Sequence, residues 1–189
     1  PLCFALDRRW AAPYLQLRER IPDLVGKITG IVAYGLLNTI NHGCHWYDAI
    51  LGLLGDPEPS QVSGSLVHIA DSDDDRRKMD PPAHAQITFE NGVTAYVTPD
   101  GDKASFEITG ERGRLSIHSD ADSAYLWSDE RYQKIDLPSV EGPWPTGPAM
   151  VEDLANAVRS DRRTLCDLDH ARRATTVGFA IHHASRNNG

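Results

Sequence analysis

Apolar residues recur along this chain at two different periods, and the switch between them divides it. Ala11 to about Ile21 has the spacing of a helix, whereas Leu2 to Leu6 and the β-branched run Lys27 to Tyr34 read as strands. Leu36 to Gly55 returns to helical spacing. At about 100° per residue, Leu37, Ile40, Cys44, Tyr47, Leu51 and Leu54 form one apolar stripe, and Gly55-Asp56-Pro57 ends the run. From Ser60 to Leu137 the period is two. Strands are predicted at Val62–Ile69, His84–Phe89, Val93–Val97, Ala104–Ile108, Arg114–Ile117, Ala124–Trp127 and Gln133–Leu137. Turn signals at Asn91-Gly92, Asp100-Gly101 and Gly110 to Gly113 join them, which implies an antiparallel meander. Gly142 to Pro148 is a rigid connector. Helices over Met150–Arg159 and Asp167–Asn187 follow, and the second carries Ala171, Ala174, Gly178, Ile181 and Ser185 on a close-packing face.

The implied fold class is α+β: a large, mostly antiparallel open sheet with helices packed on one face. Alternation places Ser105, Glu107, Arg114 and Ser116 on the side away from the apolar residues. That second face is either solvated or covered by another subunit.

Composition narrows the function classes. The chain has 189 residues, enough for one ordinary domain with a real core. A net charge of −8 argues against a nucleic-acid partner. No apolar run approaches the roughly 20 residues of a membrane span. Cys3, Cys44 and Cys166 are odd in number and widely spaced, which favours reduced thiols and a cytoplasmic setting. The acidic stretch within Asp71–Asp80 lacks the glycine and final glutamate of a calcium loop, so it reads as a solvated loop. The chain opens at Pro1 in an apolar segment, as a piece of a longer protein would.

The candidate chemistry lies in Asn41-His42-Gly43-Cys44-His45-Trp46-Tyr47-Asp48. If the helix covers this run, Asn41, His45 and Asp48 fall in a wedge about 60° wide beside the apolar stripe. Gly52, below it, adds no side chain. An amide, an imidazole and a carboxylate along one helix edge suit a proton-handling site. The plainer explanation is a packed histidine with a satisfied hydrogen bond. His42 and His45 also form an H-x-x-H pair, but a metal site needs a third ligand that the scattered remaining histidines do not obviously supply.

The same segment resembles the helix pattern [D/N]-x-G-x-H-x-x-D of the C-terminal domain of the Gfo/Idh/MocA oxidoreductases. Leu51 to Pro57 is similar to that helix's apolar end. Phe106-Glu107-Ile108-x-Gly110-x-x-Gly113-x-Leu115 resembles the family's strand–turn–strand, and Asp153-Leu154 through Ser185 its two closing helices. Arg8-Arg9-Trp10 resembles its "R-W/F" after the first strand. The resemblance implies that residues 1–189 are a single C-terminal substrate-binding and oligomerisation domain. An upstream Rossmann domain, absent from this chain, would bind NAD or NADP, with none expected bound to the chain alone. It implies hydride transfer on a sugar, polyol or sugar derivative, and a homo-oligomer formed through the sheet. His45 matches the family's catalytic histidine, and Asn41 would orient a hydroxyl or the imidazole. His42 and Asn38 would bind substrate hydroxyls. Asp48 either fixes the His45 tautomer or contacts neighbouring backbone. Asn41 stands where the inositol dehydrogenase branch has aspartate, which removes an Asp–His relay at that position. No G-x-G-x-x-G is present, and the E-K-P segment with its lysine would lie upstream. The alternatives are a non-catalytic dimerisation or binding module of the same fold and a metal hydrolase using His42 and His45.

Overall fold

The computed structural model describes residues 1–67, 79–101, 103–139 and 145–187. Most of the acidic loop, the end of the Val62–Ile69 strand and the start of the Gly142–Pro148 connector lie outside them.

Leu2 to Leu6 is not a strand. The segment runs extended beside Cys166, with the Phe4 N–H donating to the Cys166 carbonyl at 3.0 Å, and enters a 3-10 turn at Asp7–Trp10. Helix α1 covers Ala12–Val25, with a proline in its first turn and the stripe Tyr14, Leu17, Ile21 and Val25 buried. It passes the expected end at Ile21 because Val25 continues the stripe into the core. The internal Pro22 is tolerated there, and Gly26, at φ +75°, stops the helix.

Strand β1 (Ile28–Tyr34) matches its expected range to within a residue, and β2 is Pro59–Leu66. The others are β3 (Ala83–Phe89), β4 (Thr94–Val97), β5 (Ser105–Gly110), β6 (Gly113–His118), β7 (Ser123–Ser128) and β8 (Arg131–Ile135). They form one sheet in the order β2-β3-β4-β1-β5-β6-β7-β8. The sheet is open and mostly antiparallel, as expected, but it is not a simple meander. β1 inserts between β4 and β5 and runs parallel to β4, with Ile31 opposite Ala95. The chain can cross there because Gly35 (φ +80°) lies against the β4–β5 connection. A Cβ at Gly35 would stand 2.7 Å from the Lys103 carbonyl oxygen.

The inner face of the sheet carries Ile31, Ala33, Phe106, Ile108, Leu115 and Ile117, all buried. α1 packs on β5 and β6, whereas α2 (Gly43–Leu53) packs on β1. α3 (Gly147–Ser160) lies beside the 3-10 turn, and α4 (Leu168–Arg186) rests on β2, β3 and α2. A capping box starts α4: Asp167 accepts from the Asp169 and His170 N–H groups, and the His170 Nδ1 returns to the Asp167 N–H. Its close-packing face is real. Gly178 leaves room for the Thr39 carbonyl, which a Cβ would approach to 2.9 Å.

The 3-10 turn is the junction of these layers, because successive residues each grip an acid from a different element. Arg8 makes a bidentate pair with Asp120 at 2.8 and 3.0 Å. Asp120 sits in the β6–β7 turn, where Ser119, Asp120 and Ala121 all have positive φ, a conformation costing roughly 1–2 kcal/mol per residue. Tyr14 and Arg8 hold that turn together through the Asp120 carboxylate. Arg9 binds Asp48 of α2 at 2.8 Å and Asp56 just after it at 2.6 Å. Trp10 donates its indole N–H to Asp153 of α3 at 3.2 Å. The Arg9 and Asp48 side chains are 3% and 1% exposed, so neither charge has water as a substitute partner.

Removing one member of a buried pair strands the other, which costs about 3–5 kcal/mol. Arg9→Met, which leaves the buried Asp48 carboxylate without its partner, is therefore expected to destabilise the chain by that amount in urea unfolding. Arg9→Met combined with Asp48→Leu should cost less than the two single changes added together. An Arg9→Met loss below about 1 kcal/mol, the worth of an exposed pair, would contradict this role.

Candidate active site

The helix bearing the motif begins later than its apolar spacing suggests. α2 starts at Gly43, and Thr39 to His42 form a turn ahead of it. Asn41 therefore lies outside the helix, and the three-residue wedge expected on one helix edge reduces to His45 and Asp48. Leu37 and Ile40 precede the helix too, so the first two of the six stripe residues belong to the approach loop. Local hydrogen bonds explain the break. The Asn38 side-chain oxygen accepts the His42 N–H at 2.6 Å. The Asp80 carboxylate takes the N–H groups of Ile40 and Asn41, at 2.9 and 2.8 Å. Tyr47 donates its hydroxyl to the Thr39 carbonyl at 3.0 Å. Asp80 comes from some forty residues away and Asn38 from the loop itself, and they satisfy backbone groups that a helix would otherwise have paired. His182 of α4, 3.3 Å from Asp80, completes the clamp.

Each candidate residue has a definite place. Asn38 is buried, with its side-chain oxygen engaged by the loop backbone. Asn41 and His42 are exposed at the mouth of α2, and the His42 ring stacks on Trp46 at 6.5 Å between centroids. His45 lies in the first turn of α2 with its side chain 32% exposed, and its Nδ1 is 3.4 Å from Asp7 Oδ1. Asp48, one turn further on, faces inward to Arg9 with both oxygens engaged. The loop–helix junction thus brings Asn41, His42 and His45 together in the chain at the protein surface, while Asn38 and Asp48 bind the protein itself.

Asp7 is the residue the sequence did not single out. Its only signal was its place ahead of Arg8-Arg9-Trp10. The hydrogen bond to His45 holds the Asp7 carboxyl below its ordinary range, with Arg8 beside it, against the opposing effect of burial. Burial raises the Cys44 thiol and pushes Cys166 up to about 12, so both stay protonated and neither is a ready nucleophile. Among the described residues, no group of three or more His, Cys, Asp or Glu side chains is arranged to hold a metal ion. A small cleft of about 20 Å³ lies between α1 and α2, lined by Arg9, Tyr14, Arg18, Asp48 and Gly52, on the Arg9 side of α2. The space beneath Gly52 belongs to this cavity, not to His45. Among the described residues, no helix is long and apolar enough to cross a membrane.

Residues 36–189 match the family model described as "Oxidoreductase family, C-terminal alpha/beta domain". The chain belongs to the Gfo/Idh/MocA oxidoreductase family. No curated protein sequence matches it. Several solved structures share its fold. An aldose-aldose oxidoreductase from Caulobacter crescentus, complexed with glycerol, superposes with a TM-score of 0.78 at 16% identity, covering 100% of this chain and 62% of that one. An oxidoreductase from Agrobacterium radiobacter, in complex with NAD+, L-tartaric acid and magnesium, gives 0.77 at 13%, covering 100% and 64%. A UDP-N-acetylglucosamine 3-dehydrogenase from Acidithiobacillus ferrooxidans gives 0.73 at 20%, covering 98% and 62%. This Gfo/Idh/MocA chain thus spans about three-fifths of the length of these relatives.

Proposed function

We propose that this chain is the substrate-binding part of an NAD(P)-dependent oxidoreductase that acts on a sugar, polyol or sugar derivative. The observation that carries the reading is His45. It is partly exposed at the start of α2, with its Nδ1 3.4 Å from the Asp7 carboxylate. The names of the fold relatives point to the same chemical class, since they include an aldose oxidoreductase and a sugar-nucleotide dehydrogenase.

Dinucleotide pyrophosphates are held by a glycine-rich turn at a helix N-terminus. The start of α2 does not fit that role. The N–H groups of Cys44 and His45 already pair with the Ile40 and His42 carbonyls, and a Cβ at Gly43 would press on Tyr47. NAD or NADP is therefore assigned to a companion domain of the intact protein, consistent with relatives longer than this chain. When bound, the nicotinamide supplies the hydride acceptor or donor. This chain's own residues handle the hydroxyl. His45 takes its proton, and the exposed Asn41 and His42 donate to or accept from neighbouring hydroxyls. Asn38 and Asp48 serve the same site by holding it, one through the loop backbone and the other through Arg9.

The open face of the sheet supports self-association. Tyr96, Trp127 and Tyr132 are exposed there, with the tyrosine and tryptophan rings of β7 and β8 clustered 5.5–6.1 Å apart. A non-catalytic module of the same fold would use this face alone.

Kinetics on the intact protein separate the two readings. His45→Ala should lower kcat by about 10²–10⁴, the usual worth of a positioned base, with a smaller effect on KM. Near-full turnover by that variant would leave only the binding-module reading. Light scattering at micromolar concentration should give at least a dimeric mass, and a strictly monomeric mass would reject the sheet interface.

A further inference from the structure

Asn41 cannot serve as the carboxylate partner of an imidazole, because an amide carries no charge and relays no proton. Asp48, the other acid of the motif, has both oxygens engaged by Arg9. Among the described residues, Asp7 is the one carboxylate within ion-pair distance of His45. We propose that Asp7 is the positioning residue of His45, replacing from the 3-10 turn the acid that the motif lacks. This inference rests on the reading of His45 as the proton acceptor.

The geometry supports it in three ways. First, the carboxylate lies 3.4 Å from Nδ1, and an anion on that side favours the proton on Nδ1 and leaves Nε2 as the nitrogen with a free lone pair. A base must present an unprotonated nitrogen to the hydroxyl, and the tautomer is set by the bond made at the other nitrogen. Second, Asp7 is placed by a rigid support. The three residues after it are fixed to Asp120, Asp48 with Asp56, and Asp153, so the turn cannot drift from α2. Asp48 itself sits three residues after His45 on the same helix, so Arg9 ties the turn carrying Asp7 to the helix carrying His45. Third, the pair is partly open to solvent, with side chains 32% and 44% exposed, so it is not sealed off from a substrate.

The proton count balances. The hydroxyl proton moves to Nε2, the Nδ1 proton stays where it is, and Asp7 remains a carboxylate facing the imidazolium that forms. The carboxylate thus stabilises the charge developed on His45 without itself being protonated.

Imidazole 15N and carboxyl 13C NMR on this chain test the pairing without any cofactor. In the unmodified chain, neutral His45 should carry its proton on Nδ1, and the Asp7 carboxyl should titrate below the ordinary aspartate value of about 3.9. Asp7→Ala should move His45 toward the Nε2–H form, and His45→Ala should return the Asp7 titration to its ordinary position. In the intact protein, Asp7→Ala should reduce kcat by about 10–100-fold, within the contribution of the base itself, and KM should change little. An unchanged His45 tautomer in Asp7→Ala, or an Asp7 titration indifferent to His45→Ala, would overturn the proposal. Full turnover by His45→Ala would instead defeat the proton-acceptor reading while leaving the tautomer shift in place, so the two failures are distinct. Because the unmodified chain gives two of the readouts, the test survives a variant that does not fold.

Discussion

The buried contact of Arg9 with Asp48 and Asp56 is the interaction on which the remaining structure depends. A guanidinium removed from water must recover its hydration through fixed acceptors, and two carboxylates at 2.6–2.8 Å provide them. Arg18 also reaches Asp56, at 2.7 Å, and draws α1 into the cluster. Arg173 of α4 donates to the Asp56 backbone carbonyl at 2.8 Å. The 3-10 turn, α1, α2 and α4 are thereby joined through one set of charges, whereas the sheet is joined to them mainly by apolar contact, with the Arg8–Asp120 pair at its β6–β7 turn. Apolar burial supplies most of the stability and is tolerant of small displacements. The ion cluster is directional, and it fixes how the turn and α2 sit relative to each other.

The same support bears on the role proposed for Asp7. A carboxylate that positions an imidazole must be placed to a fraction of an ångström, and loops seldom achieve this unsupported. Asp7 has three anchored neighbours, and its partner His45 lies one helical turn before the acid that anchors the middle one. Asp48, read from the sequence as fixing the His45 tautomer or contacting neighbouring backbone, has both oxygens on Arg9 and belongs to this support. The loop that presents Asn41 and His42 is held independently, by Asp80, Tyr47 and the space left by Gly178.

Local sequence made much of the sheet legible, because period-two alternation is produced by one-sided burial and needs no knowledge of partners. β1 and β3 to β7 fall within a residue or two of their expected limits for that reason. The insertion of β1 between β4 and β5 was not legible. It is a pairing across more than sixty positions, and its local trace is a glycine, Gly35, whose meaning depends on the Lys103 carbonyl opposite it. The start of α2 misled for a related reason. Leu37 and Ile40 keep helical spacing, but Asp80 and Asn38 claim the backbone groups, and one of those acceptors is forty residues away. Leu2 to Leu6 has strand composition without a sheet edge to join. At the site, His45, Asn41 and His42 of the motif stand at least partly exposed, whereas the Asp7 contact arises only from tertiary structure.

Membership of the oxidoreductase family and the shared fold set the frame, and within it the proposed role of His45 is to meet the substrate hydroxyl. A crystal structure of the intact protein with its nicotinamide cofactor and a bound polyol or sugar tests that most directly. His45 Nε2 should lie about 2.6–3.2 Å from the hydroxyl on the carbon facing the nicotinamide, with Asp7 on Nδ1. An imidazole out of reach of that hydroxyl, directly and through one water, would contradict the account.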